Sequence, residues 1–241
     1  MRRRYLCGAF VGVLVIAAAW SATAGGAASS LRHGRVQLIT HSTSTNWSGY
    51  AVTGSRFTSV SSSWTEPTVT CSTTAYSSFW VGLDGDTSST VEQTGTDADC
   101  SGKTPQYYAW YEMYPKFPVN FSNPVKPGDT LSASVTTNGS GSFTLNISDS
   151  TQKWSQTVSA RLKSAKLASA EVIAEAPSSS SGVLPLANFG TVSFTGASAN
   201  GALLTSTTPN IDPITMSSGS TTKALPSSIS SGSFSVAWKH S

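Results

Sequence analysis

The stretch "LASAEVIAEAPSS", residues 167–179, holds two glutamates, Glu171 and Glu175, among small and apolar neighbours. The whole chain has only 12 Asp and Glu in 241 residues, so the pair is a local concentration of acid. Two other segments set carboxyls and amides beside aromatic rings. One is "FWVGLDGDTSSTVEQTGTD", carrying Trp80, Asp84, Asp86, Glu92, Gln93 and Asp97; the other is "YYAWYEMYP", carrying Trp110, Tyr111, Glu112 and Tyr114. A carboxylate can take a proton from water and later return it to a leaving group. A carboxamide offers an N–H donor to a developing oxyanion and a carbonyl oxygen to hold a water. Groups of these two kinds suffice for hydrolysis, provided the fold brings them together.

Other hydrolytic machinery is absent from the pattern. The three histidines, His33, His41 and His240, lie outside the patterned core, and no G-x-S-x-G elbow occurs, so a Ser-His-Asp triad is not expected despite the many serines. Paired-histidine metal motifs and Gly-rich phosphate loops are missing too, so neither metal nor cofactor is expected.

The elements that must position these groups read as strands. From Asn46 onward, short alternating runs such as "SSFWVGL", "TLSASVT", "SFTLNIS" and "SFSVAW" are separated by Ser, Thr, Gly, Asn and Pro. Many short strands at close spacing predict an all-β, antiparallel sandwich or barrel. The exception is "ARLKSAKLASAEVIAEA", which has helical propensity. Read as a strand, Glu171, Ile173 and Glu175 share one face and Ala170, Val172 and Ala174 the other. A separation of four keeps Glu171 and Glu175 on one side in either geometry.

The ends fix the compartment. "MRRR", an apolar run and Ala22-Thr23-Ala24 predict a signal peptide over residues 1–24, and residues 25–44 read as a linker or short pro-segment before one domain at 45–241. A secreted protein free of the membrane follows. Loss of Arg2, Arg3 and Arg4 leaves 12 basic against 12 acidic residues, with no electrostatic footprint for nucleic acid. Cys71 and Cys100 are then the only thiols left, and one disulfide between them is expected, stabilising by roughly 3–4 kcal/mol. Charged residues are only 11% of the chain, a surface that gains few repulsions in acid.

Four motifs in order, "NWSGY", "WVGLDGD" with "VEQTGTD", "AWYEMYP" and "SAEVIAEAP", resemble the glutamic peptidases (eqolisins), and "FGTVSFTGA" is similar to a later core strand of that family. The resemblance spans about Asn46 to Phe194. It implies a sandwich of two large bent antiparallel sheets, of lectin-like architecture, with a cleft on the concave side. It also implies an acid-active endopeptidase without metal or cofactor, a monomer acting on polypeptides. Carried over by position, the catalytic pair is Gln93 and Glu171, and Trp47, Trp80, Asp84, Asp97, Glu112 and Tyr114 are the substrate-binding positions. Trp110 is assigned to the core, and Glu175 to a neighbouring place on the cleft face or to solvent. Where the family commonly has Trp after the glutamate, this chain has Val172. Two other readings compete. One is a non-catalytic carbohydrate-binding module stacking sugars on Trp47, Trp80, Tyr111 and Tyr114; the other is a glycosidase using Glu112 and Glu171.

Overall fold

Alternation with a period of two, rich in Ser, Thr and Val, builds strands throughout the computed structural model, which describes residues 31–33, 42–54 and 56–241. The signal-peptide reading of 1–24 and most of the 25–44 segment lie outside the described residues. Among the described residues there is no helix. The first half supplies β1 (Thr43–Ser44), β2 (Trp47–Thr53), β3 (Ser59–Thr65), β4 (Ser78–Leu83), β5 (Val91–Ser101), β6 (Thr104–Tyr114) and β7 (Val119–Asn120). The middle supplies β8 (Thr130–Thr137), β9 (Ser142–Asp149), β10 (Trp154–Arg161), β11 (Ser169–Glu175), β12 (Ser178–Ser179) and β13 (Gly182–Val183). The chain ends with β14 (Thr191–Ala199), β15 (Ala202–Leu203), β16 (Ile211–Ser218), β17 (Thr221–Pro226) and β18 (Phe234–Trp238).

Two antiparallel sheets result, as expected for a sandwich. The front sheet runs β16-β2-β11-β4-β5-β6-β7 and the back sheet β10-β9-β8-β3-β14-β18-β17-β16. Strand β16 belongs to both: Ile211–Ile214 pair with β2, while Met216–Ser218 pair with β17. Between the sheets lies the main core. The back sheet contributes Leu131, Val135, Leu145 and Ile147; the front sheet contributes Phe79, Val81, Ala170 and Val172. Burying each large apolar side chain there contributes about 1.5–3 kcal/mol.

Strand β11 is the segment with helical propensity. It forms a strand because β2 and β4 take up both of its edges, and ladder pairing overrides local preference. Val172 points into the inter-sheet core, on the face opposite Glu171, so the departure from the family pattern changes packing behind the strand. Cys71 and Cys100 are joined, with Cα atoms 5.3 Å apart, tying the loop before β4 to the end of β5.

Candidate active site

Register lines up acidic and amide side chains on the outer face of the front sheet. Glu171 sits opposite Gly82, Gly82 opposite Gln93, and Gln93 opposite Glu112, one row across β11, β4, β5 and β6. Two residues along, the next row is Ile173, Trp80, Gly95 and Trp110. The third is Glu175, Ser78, Asp97 and Tyr108. Steps of two keep a strand's side chains on one face, so the three rows make a single surface. Trp47, Trp80, Trp110, Ile173 and Ile214 form its apolar part, separate from the main core.

Glycine decides the geometry of the first row. Glu171 and Gln93 are two strand spacings apart, about 9–10 Å between backbones, and Gly82 between them carries no side chain. A Cβ at Gly82 would stand 2.9 Å from the Trp80 ring and 3.2 Å from Gln93 Cβ. The space over Gly82 is therefore filled by the Trp80 ring and the base of the Gln93 side chain, an approach that only glycine allows there. At Gly95 a Cβ would come within 2.2 Å of the Phe79 carbonyl oxygen, so that position admits only glycine between Trp80 and Trp110.

Hydrogen bonds fix the pair from outside and leave its inner atoms unused. Gln93 Nε2 donates to Glu112 Oε2 at 2.9 Å. Glu171 Oε1 faces the Asp86 amide at 3.5 Å. Gln93 Oε1 and Glu171 Oε2 are buried and accept no hydrogen bond. A water donating one proton to each would satisfy both acceptors, and burial makes that satisfaction worth about 1–3 kcal/mol per group.

The third row is a carboxylate network. Asp97 accepts from Trp110 Nε1 at 2.6 Å and from Tyr108 Oη at 2.8 Å, and Tyr108 Oη is also 2.8 Å from Asp99 Oδ2. One hydroxyl has one proton, so one of the two carboxyls must carry its own. Burial and the neighbouring Asp97 push Asp99 well above the usual carboxylate range, which makes it the protonated one. Glu175 accepts from Trp80 Nε1 at 2.8 Å and Asn46 Nδ2 at 3.0 Å.

Burial also governs the first row. It pushes Glu171 well above its ordinary value; the Ser169 hydroxyl opposes the shift and Asp86 and Asp84 add to it. Glu112 is raised to about 8 by burial, with His33 opposing and Glu175 adding. Among the described residues, no group of three or more His, Cys, Asp or Glu is arranged to hold a metal ion.

Residues 45–238 match the Peptidase A4 family. The chain belongs to that family. Aspergillopepsin-2 of Aspergillus niger is 31% identical over 181 residues, covering 65% of this chain and 64% of the relative. Scytalidopepsin B of Scytalidium lignicola is 39% identical over 118 residues, covering 47% of this chain and 44% of the relative. The chain thus spans less than two thirds of these relatives. Scytalido-glutamic peptidase, solved with a transition state analog inhibitor, superposes with a TM-score of 0.72 at 27% identity, covering 81% of this chain and 98% of that one.

Within this Peptidase A4 chain, Gln93, Glu171, Glu112, Asp97, Trp47 and Trp80 gather on the one surface, and Tyr114 packs against its apolar part. Asp84 is used differently. Its carboxylate accepts the amides of Lys166, Leu167 and Ala168, each at 2.8 Å, and so anchors the loop that feeds β11. Trp110, assigned from sequence to the core, belongs to this outer surface, because its β6 register puts it beside Gly95. Glu175 is buried beside it as a supporting acceptor. The residue that sequence reasoning passed over is His33, whose ring stacks on Trp110 at 3.9 Å. Its only signal was a lone imidazole in a segment without a hydrophobic period.

Proposed function

We propose that this chain is a secreted, monomeric endopeptidase, active on the acid side of neutrality, that cleaves polypeptides with Glu171 and Gln93. The observation that supports this reading is the single row Glu171–Gly82–Gln93 with its two unused acceptors flanking a glycine. The ionised form of Glu171, which burial makes the minor form in acid, takes a proton from the water held between the two side chains, and the water oxygen attacks the peptide carbonyl carbon. Gln93 Nε2 has two protons. One is spent on Glu112; the other is free to donate to the oxyanion. Glu171 then gives its proton to the amine nitrogen as the C–N bond breaks. The amide does this work at any acid pH because it stays neutral.

The test is cleavage of denatured casein and of a quenched fluorescent peptide from pH 2 to 7. Wild type should cut in acid; Glu171→Gln should lose activity entirely, and Gln93→Ala should lose about 2.7–4 kcal/mol of barrier lowering, or roughly a hundredfold or more. Full activity in either variant removes that residue from the mechanism. The carbohydrate-binding reading predicts instead a saturable glycan affinity that survives Glu171→Gln, and the glycosidase reading predicts sugar release.

A further inference from the structure

Behind the row that carries Glu171 and Gln93, the inward face of β5 holds a carboxyl that the chemistry does not use. Glu92 stands opposite Leu83 on β4 and Met113 on β6, and both of those neighbours belong to the inter-sheet core. Its side chain is wholly buried, and neither carboxyl oxygen has an aligned hydrogen-bond donor. Two polar groups lie beside it. One is the Thr90 hydroxyl, also buried without an aligned partner; the other is the carboxyl of Asp84, the residue that follows β4. A bare carboxylate is costly in such a place, whereas a carboxylic acid is not, provided its proton has an acceptor.

Asp84 has room for that proton. An ionised carboxyl offers about four acceptor sites. Oδ2 takes the amides of Lys166 and Leu167, Oδ1 takes that of Ala168, and one site on Oδ1 is left. Two carboxyls hydrogen-bond only when one holds a proton. Asp84 already accepts three donors and Glu92 none, so the proton is Glu92's. We propose that Glu92 is a positioning residue for the reaction: its acid proton on Asp84 completes the anchor that fixes the loop into β11, and with it Glu171. What is positioned rests on the peptidase reading, but the anchor itself does not.

The loop needs an anchor. Leu167, buried in its middle, has a φ of +58°, a left-handed conformation that is costly for a bulky side chain. Asp84 donates its own amide to the Ser169 carbonyl at 3.0 Å, and the Ser169 hydroxyl donates to the Asp86 carbonyl at 3.0 Å. Glu171 follows two residues after Ser169 and faces the Asp86 amide. A slackened Asp84 therefore reaches Glu171 through its own turn and through β11. Burial first, and the Asp84 charge second, raise Glu92 to about 8. Among the described residues Asp84 is the charged group that faces it; Leu83, Met113 and Thr90 bring no other. The hold on the loop is thus complete below the ordinary 4.5 and is lost as pH rises through about 8.

Hydrogen exchange at the Lys166, Leu167 and Ala168 amides, in the full Glu171→Gln chain, reads the anchor without catalysis. Their protection factors, taken relative to the Leu145 amide in β9, should fall roughly tenfold or more from pH 5 to pH 8. Adding Glu92→Gln, which keeps a donor but has no proton to lose, should abolish that fall. In the otherwise unaltered chain, Glu92→Leu should cut kcat on the quenched peptide about tenfold or more at pH 4 with KM little changed. Glu92→Gln should recover most of that loss. Protection that stays level from pH 5 to pH 8, or a fall that survives Glu92→Gln, overturns the anchor. Wild-type kcat in Glu92→Leu overturns its positioning role. The expected fall in a chain that never cleaves peptides would uphold the anchor and sink the peptidase reading instead.

Discussion

The two sheets turn polar side chains outward from similar strands and treat them in opposite ways. On β9 of the back sheet, Phe143, Leu145 and Ile147 are buried, while Thr144 between them is exposed. On β11 of the front sheet, Ala170, Val172 and Ala174 fill the same inward role, yet Glu171 and Glu175 on the outward face are wholly buried as well. Strand β5 repeats the front-sheet pattern, with Gln93 and Asp97 shielded from water. A polar outer face that meets water needs nothing more. One that is shielded must be given hydrogen-bond partners residue by residue.

That contrast is broken most severely at Gly82. Adding a methyl group there meets the Trp80 ring at 2.9 Å and Gln93 Cβ at 3.2 Å, so Gln93 or the ring must move. A displacement of about 1 Å in a reacting group costs on the order of a hundredfold in rate. Gly82→Ala should therefore cut kcat about a hundredfold in the casein and quenched-peptide assays, with a smaller loss of thermal stability. A variant with wild-type kcat would show that the close approach over Gly82 plays no part.

Sequence reading reached the strands, the disulfide and the shared face of Glu171 and Glu175 for definite reasons. Alternation reports the face a residue occupies, and a spacing of four kept Glu171 and Glu175 together in either geometry. The four ordered motifs named Gln93, which no composition could single out. Asp84 escaped because its three amide partners lie more than 80 residues away, at Lys166 to Ala168. Trp110 escaped because nothing local distinguishes the two faces of β6; only its register beside Gly95 does. His33 was out of reach for the same reason, since its partners Asp97 and Glu112 come from β5 and β6.

Shielded carboxyls sharpen the comparison through pH. Burial raises Glu92 and Glu112 on the front sheet to about 8. Glu66, between the sheets, is likewise raised by burial to about 8, although Thr96 donates to it at 2.6 Å. Each is neutral when folded but ionises near the ordinary value of 4.5 when unfolded. Their contribution is fully present below that value and is lost as pH rises through about 8. His33 has the same sign, present below 6.5 and lost through about 9. Urea midpoints should therefore fall steadily from pH 4.5 to pH 8. Glu66→Gln should flatten that slope. A midpoint that rises over this window contradicts the assignment.

The smallest effect belongs to the wet face. Thr144 is exposed in the middle of β9, paired across to Thr136 on β8 and to Ser159 on β10, and its carbonyl also accepts from the Thr136 hydroxyl at 3.4 Å. Thr144→Val keeps the branched shape that suits a strand and removes one hydroxyl already in water. Stability should stay within about 0.5 kcal/mol and kcat should not change. On the inward face of β5, Thr94→Val removes a buried hydroxyl that donates to the Trp110 carbonyl at 2.7 Å. That loss should cost about 1–3 kcal/mol, because the abandoned carbonyl has no water to replace its donor. Equal costs at positions 94 and 144 would mean that shielding from water does not decide what a strand's polar group is worth, and the premise of the contrast would fail.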